Sequence, residues 1–385
     1  MTDSTTSTPN QSAACLQENL ARALNIVSPA VASRSTLPAL TYILLTAANG
    51  QVSVTATNLD LAVTCKIGAI VEGEWGLALP ARELGELIGS LPQDRVDLKF
   101  SPETQALNIR CLRASANIKG IAAGEFPKPP ALVNAIQLSL EAETLREMIK
   151  QTTFSAASDN ARPILAGVLT ELAQTGITFA AADGFRLSVR SASQTLPLSE
   201  RLRVVIPAPA LNLVAKIAAM QEDPFELAFS ERRTHVSFRQ GNVEVLSSLI
   251  EGNFPDFGQL VPPQHTTRVV TNAADFLAAV KRSIVFARSQ KGIVRLQAVP
   301  ANGTASKVVV SAVSAERGDY TDELDAGVEG NPVQIAFNGQ FLAEWIEQVK
   351  PTQLILETTS EAAPGVFKVV GREDYLHLIM PMHAK

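Results

Sequence analysis

Apolar and polar positions follow one programme three times along this chain. In each round an amphipathic helix comes first, carried by Leu16, Leu20, Ala23, Leu24 and Val27, then by Leu145, Met148, Ile149 and Phe154, and then by Phe276, Leu277, Val280 and Ile284. Spacings of three and four put each set on one helix face. Two strands follow: Tyr42–Ala47 and Val52–Thr57, Gly167–Glu171 and Gly176–Ala181, Val294–Val299 and Lys307–Ala312. After a polar turn a third strand resumes, over Asn58–Val63, Asp183–Val189 and Ser314–Tyr320. A second helix recurs just behind a strand, over Leu79–Ile88, Ile206–Val214 and Ala336–Trp345, with Pro or Asn near its front as a plausible start. Three further strands close each round.

The periodicity predicts an α+β fold of three similar units, each with two helices packed on mostly antiparallel sheet. Prolines 127, 129 and 130, then 255, 262 and 263, mark two linkers. They divide the chain into domains over 15–133, 134–263 and 264–385. Residues 1–14, a Ser/Thr/Asn/Gln/Pro tract with little to bury, read as a disordered tail. Three such units could stack as a rod, or their edge strands could pair around a closed ring.

The last stretch, Tyr375–Lys385, is apolar where a chain end ordinarily frays. Leu376, Leu378 and Met380 alternate with His377 and Ile379, which predicts a strand with one buried face that delivers Pro381 and Met382 to an edge. In the first two rounds the corresponding slot leads into a linker. The third has no next domain to enter, so its end is free to lie along the second copy.

Composition narrows the class. With 385 residues and 46% hydrophobic content the chain can bury a core in each of two or three domains. No apolar run reaches the roughly 20 residues that span a bilayer, and the start lacks the basic and apolar regions of a signal peptide, so a cytoplasmic protein without a membrane partner is expected. Cys15, Cys65 and Cys111 have no pairing or ligand spacing and read as buried free thiols. The net charge of −5 argues against coating nucleic acid by bulk positive charge. A local basic surface stays compatible with it, because charges act over about 8–10 Å in physiological salt.

Catalytic signatures are absent: no Gly-x-x-x-x-Gly-Lys loop, no Gly-x-Ser-x-Gly elbow, no His-Glu-x-x-His helix. The chain therefore reads as a binding protein without cofactor or metal, the rivals being a peptide-binding repeat scaffold that ignores DNA and a hydrolase. Arg34, Arg162, Arg288 and Lys291 each fall in the turn after the first helix of their round. If the copies form a ring, these cations face one channel and meet phosphates without reading sequence. Arg22, Arg82, Lys150, Lys216, Lys281 and Arg282 are weaker candidates on helices, diluted by Glu18, Glu83, Glu86 and Glu147. Asp183-Gly184 supplies a tight turn, and Leu165, Leu187 and Phe254-Pro-Asp-Phe257 offer an apolar pocket for a peptide with a Leu or Phe anchor.

Arg34-Ser-Thr-Leu-Pro38, Asn160-Ala-Arg-Pro-Ile-Leu165, Ala182-Asp-Gly-Phe-Arg-Leu187, Glu251-Gly-Asn-Phe-Pro-Asp-Phe257 and Ile379-Met-Pro-Met382 together resemble the bacterial DNA polymerase III beta subunit family, in the same order from about Cys15 onward. The resemblance implies three DNA-clamp domains of the processivity fold and a head-to-tail homodimer, a six-domain ring around double-stranded DNA that makes sequence-independent contacts and is not an enzyme. The ring would tether the DNA polymerase III catalytic subunit and dock the clamp loader and other clamp-motif proteins. Arg34 and Arg162 match DNA-contact positions. The partner pocket maps onto Leu165, Gly184, Phe185, Arg186, Leu187, Pro255, Gln259, Leu260, Leu378, Ile379, Met380, Pro381 and Met382. Phe185 stands where a His is common, Gln259 where an Arg can occur, and His383-Ala-Lys385 replaces an Arg-Leu type ending. Ala116, Ile118, Val285 and Phe286 match the dimer seam, Ala116 standing where some members carry an aromatic.

Overall fold

The computed structural model describes residues 11–132, 135–159, 161–287, 292–302, 305–314 and 318–382. Among these residues lie six α-helices, two per round as the periodicity predicts: α1 (Gln17–Val27), α2 (Ala81–Ser90), α3 (Ala142–Thr152), α4 (Ala208–Ala218), α5 (Ala273–Ala287) and α6 (Gly339–Val349). The second helix of each round starts two or three residues later than its sequence suggests. The preceding strands, Trp75–Pro80, Leu202–Pro207 and Val333–Asn338, run right up to the turn. Pro80 and Pro207 end strands instead of opening helices, while Pro209 occupies the first turn of α4, where its missing N–H costs nothing. Asn338 caps α6, its side chain accepting from the Gln340 N–H at 2.9 Å.

Contacts divide the chain into two compact units, Met1–Ala142 with Lys216–Leu249, and Glu143–Ala215 with Ile250–Lys385. The first unit holds a nine-stranded sheet in the order Ile121–Ala122, Trp75–Pro80, Tyr42–Ala48, Gln51–Thr57, Leu61–Gly68, Val243–Ser248, His235–Gln240, Phe225–Phe229, Ile136–Leu140. The strand Leu61–Gly68 of the first round pairs antiparallel with Val243–Ser248 of the second, Val245 opposite Val63. α1 packs on Gln51–Thr57, Leu61–Gly68 and α2, burying Leu20, Ala23, Leu24 and Val27 with Leu84 and Ile88.

A five-stranded sheet in the same unit runs Ile70–Glu72, Ser12–Leu16, Arg95–Ser101, Ala106–Cys111, Ala114–Lys119. Its second strand corrects the expected start of ordered structure. Ser12–Ala14 belong to a strand paired on both sides, with Ala13 and Ala14 buried, so only residues 1–10 of the expected tail are left, and these lie outside the described residues. Backbone pairing, which polar composition does not register, holds the segment. The three cysteines are free and buried, and burial pushes the Cys15 and Cys65 thiols up to about 11.

The second unit is built on a twelve-stranded sheet ordered Leu202–Pro207, Gly167–Ala173, Gly176–Ala182, Arg186–Ser193, Tyr375–Ile379, Gly365–Val369, Gln353–Thr358, Thr267–Asn272, Gly318–Gly330, Lys307–Ser314, Ile293–Val299, Val333–Asn338. Its main core gathers Phe276 and Val280 of α5, Trp345 and Ile346 of α6, and Phe337, Phe367, Tyr375 and Ile379 of the strands. The last strand of the chain lies inside this sheet, pairing with Arg186–Ser193 on one side and Gly365–Val369 on the other. The free end of the third round does lie along the second. The expected single buried face is corrected: Tyr375, His377 and Ile379 are buried in one direction and Leu378 in the other, while Met380, past the end of the strand, is 40% exposed. A strand flanked by partners on both sides has two faces to cover, and here both are covered.

Candidate functional site

On one face of the twelve-stranded sheet a second apolar cluster collects Leu165, Leu169, Leu187, Val189, Phe254, Val366 and Leu378, with Ile164, Ile250, Phe257 and Leu376 at its margin. The register explains the gathering. Leu187 stands opposite Leu378 and Arg186 opposite Ile379, so Leu187 and Leu378 project from adjacent strands on the same side. The segment after Ile250 brings Phe254 onto them, with Pro255, Gln259 and Leu260 exposed beside it. Leu260 leaves 48% of its surface in solvent, and Gln259 donates to Asp256 at 3.0 Å.

The turn between Gly176–Ala182 and Arg186–Ser193 is held by Asp183. Its Oδ1 accepts the N–H groups of Phe185 at 2.9 Å and Arg186 at 3.0 Å, and Gly184 takes φ +93°, which a side chain would strain. Phe185 projects from this turn with 63% of its surface exposed, and its carbonyl accepts the N–H of Met380 at 2.8 Å. The N–H of Met382 donates to the Ala336 carbonyl at 2.8 Å, which fixes the last described residues against the third round. Thus Phe185, Leu260, Met380, Pro381 and Met382 remain partly or well exposed around the buried leucines.

Two pocket candidates take other places. Ile379 is fully buried in the main core on the opposite side of the strand, because side chains alternate across a sheet. Arg186 turns inward: 9% of its side chain is exposed, and its guanidinium donates to Asp183, Glu344 and the Phe154 carbonyl. Behind the same strand His377 is fully buried, its Nδ1 2.8 Å from Ser188 Oγ and its ring stacked on Trp345 at 5.9 Å. Burial, and secondarily the Arg186 charge, hold the imidazole well below its ordinary value of 6.5.

Of the loop cations, Arg34 is exposed between two short 3-10 turns, and Arg162 is exposed just ahead of the turn Pro163–Ala166. The Arg162 guanidinium lies against Gly184, an Nη 2.9 Å from where a Cβ would stand. Arg288 and Lys291 lie outside the described residues. Among the helical cations Arg82 is taken by Glu86, Lys281 by Glu347 and Arg282 by Asp322. Arg22, Lys150 and Lys216 are exposed without an ion pair among the described residues.

The seam candidates fall on exposed edges. Ala116 and Ile118 are half-buried on Ala114–Lys119, the edge strand of the five-stranded sheet, which among the described residues pairs only with Ala106–Cys111. In the other unit Val285 is 53% exposed near the end of α5 and Phe286 stacks on Tyr320 at 5.9 Å. Tyr320 lies in the part of Gly318–Gly330 that pairs with Lys307–Ser314 alone among the described residues. Sequence reasoning missed Glu344 and Phe341 of α6, which hold Arg186. No local signal reveals them, since Glu344 is 158 positions away from its partner.

Three rounds of helix, strands, helix and strands, joined by pairing between successive rounds, define a sliding-clamp fold. Residues 13–130, 139–256 and 258–383 match, in turn, the N-terminal, central and C-terminal domains of the DNA polymerase III beta subunit. These matches cover most of the chain, and it belongs to the DNA polymerase III beta subunit family. A beta sliding clamp of Synechococcus elongatus is 29% identical over 374 residues, covering 96% of this chain and 99% of that one. A beta sliding clamp of Bacillus subtilis is 27% identical over 376 residues, covering 95% and 98%. The crystal structure of the DNA polymerase sliding clamp from Bacillus subtilis superposes with a TM-score of 0.91 at 26% identity, covering 98% of this chain and all of that one. A beta subunit structure from Thermotoga maritima shares the fold, with a TM-score of 0.89 at 22% identity and coverage of 97% and 100%.

Proposed function

We propose that this chain is a DNA sliding clamp: three domains, over about 12–133, 134–263 and 264–385, that pair head to tail with a second copy into a six-domain ring around duplex DNA. The observation that carries the reading is a pair of unmatched edges of opposite charge. Ala114–Lys119, with Arg110, Arg113 and Lys119 around it, has no strand on its outer side among the described residues. The run Gly318–Asp325 carries Asp319 and Asp325 beside Asp322 and Glu323, which pair with Arg282 and Lys307, and among the described residues it has Lys307–Ser314 as its one strand partner. Two different patches that complement each other make a heterologous contact, which closes into a ring when the rotation permits. Closure removes both edges from solvent and covers Ile118, Val285 and Phe286.

Within the ring Arg34 and Arg162 would meet phosphates, together with Arg22, Lys150 and Lys216, without touching base edges. Weak contacts of this kind leave the ring free to slide while enclosure keeps it on the duplex. The role is that of a tether and not a catalyst, in the cytoplasm, where the replicative polymerase works. Among the described residues no helix is long and apolar enough to cross a membrane.

The surface around Phe185, Leu260, Met380, Pro381 and Met382, over the Leu165–Leu187–Leu378 cluster, would take a short peptide with Leu or Phe anchors from the polymerase catalytic subunit, the clamp loader or repair proteins. Two measurements test the proposal. The loaded protein should stay on nicked circular DNA and leave once the circle is cut; release unaffected by linearisation sinks the ring. Met382→Ala should weaken binding of a fluorescent Leu/Phe peptide about tenfold, and equal affinity sinks the pocket assignment.

A further inference from the structure

The inward-turned Arg186 carries more than its own turn. Its Nε donates to Asp183 Oδ2 at 2.9 Å, its Nη1 to Glu344 Oε2 at 2.6 Å and its Nη2 to the Phe154 carbonyl at 2.6 Å. The guanidinium carbon lies 4.4 Å from the centre of the Phe341 ring and 5.6 Å from that of Phe154. Asp183 in turn fixes the Phe185 and Arg186 N–H groups, and the Phe185 carbonyl holds Met380. A continuous chain of contacts therefore runs from α6 in the third round, through Arg186 and Asp183 of the second, to Phe185 and Met380.

We infer that Glu344 and Phe341 are positioning residues of the peptide pocket, acting through Arg186 to hold the Asp183–Phe185 turn in the form that receives a peptide. The inference rests on the pocket reading above and deepens it. A guanidinium so nearly buried must keep its counter-charges: without Glu344 it retains Asp183 as its one carboxylate beside the neutral Phe154 carbonyl, and Nη1 loses its acceptor. Phe341 supplies the flat face that sets the plane of the fork. A turn released from that plane pays an ordering cost on each binding event, and affinity falls although no contact to the peptide has been removed. Glu347 on the same helix pairs instead with Lys281 at 2.6 Å and has no part in this chain.

The test is the affinity of a fluorescein-labelled Leu/Phe peptide, by anisotropy, for the full-length parent, Glu344→Ala, Phe341→Leu, Arg186→Lys, the Glu344→Ala/Arg186→Lys double variant and Glu347→Ala. Circular dichroism checks that each is folded. Glu344→Ala should bind about tenfold more weakly, equivalent to about 1.4 kcal/mol, with Phe341→Leu weaker than the parent and Glu347→Ala unchanged. The double variant should bind no more weakly than the worse of its two singles, because both act on one turn. Parental affinity in Glu344→Ala, or losses that add in the double variant, overturn the inference and leave the pocket standing. A parent that fails to bind the peptide removes the pocket reading, and the inference with it.

Discussion

Lowering the pH from about 7.5 to 5.5 should destabilise the second unit through a single imidazole. His377 is fully buried between the Trp345 and Phe154 rings, with Ser188 at Nδ1 and Ser155 hydrogen-bonded behind Ser188 at 2.7 Å. Burial comes first in disfavouring a charged ring, and the nearby Arg186 guanidinium adds repulsion against a second positive charge. The folded state therefore keeps the ring neutral, whereas in the unfolded chain it titrates near its ordinary 6.5. The sign follows: below 6.5 the unfolded chain takes up a proton that the folded one refuses. Stability contributed by the neutral ring is complete above 6.5 and is lost as pH falls toward the depressed folded value. Between pH 7.5 and 5.5 the statistical weight of the unfolded state rises tenfold, a loss of up to about 1.4 kcal/mol. Urea unfolding reports it through Trp345 emission in a Trp75→Phe background, which silences the first unit. The His377→Asn variant, which keeps a polar atom near the Ser188 hydroxyl, should show a pH dependence flatter by that amount. If parent and variant lose equal stability over the same interval, His377 is not the group responsible and the reasoning fails.

Three other outcomes follow from the same geometry. Leu378→Ala removes a side chain only 2% exposed at the centre of the apolar cluster under the pocket, and should cost about 2–5 kcal/mol in the urea unfolding of the second unit. Arg34→Ala should lower the magnitude of the slope of log affinity for DNA against log salt by about 0.9 and leave peptide affinity unchanged, whereas an unaltered slope removes Arg34 from the phosphate contacts. Ile118→Asp sets a carboxylate opposite the acidic run Asp319–Asp325 at the proposed seam, and sedimentation velocity should show the dimer shifting to monomer at concentrations where the parent stays paired; a dimer of parental strength would place the seam elsewhere.

How much of this was legible in the sequence depends on the distance over which each feature is decided. α1, α3 and α5 are written in apolar residues three and four apart, and the strands after them in alternation, so both periods survive in a local reading. The leucines of the second apolar cluster are equally visible because Leu187 and Leu378 sit in strands with recognisable alternation, although nothing local says that they are opposite one another. Strand Ser12–Leu16 was lost because its buried residues are alanines and a cysteine, too small to stand out in a polar tract; it is held by two neighbours more than fifty residues away in sequence, which no window reaches. Ile379 and Arg186 face away from the second apolar cluster for a related reason. Alternation tells which residues share a face but not how many faces are covered, and a terminal strand was expected to have one. Once Arg186–Ser193 and Gly365–Val369 flank it on both sides, the residues between Leu376 and Met380 divide: Leu378 goes to the second apolar cluster, while His377 and Ile379 go to the core side. Arg186, facing the core side opposite Ile379, then needs counter-charges there, and α6 supplies one. The same strand thus carries the proposed pocket on one face and, on the other, the groups inferred to hold it in place. That is why Glu344→Ala, on a helix outside the proposed pocket, is expected to register in binding.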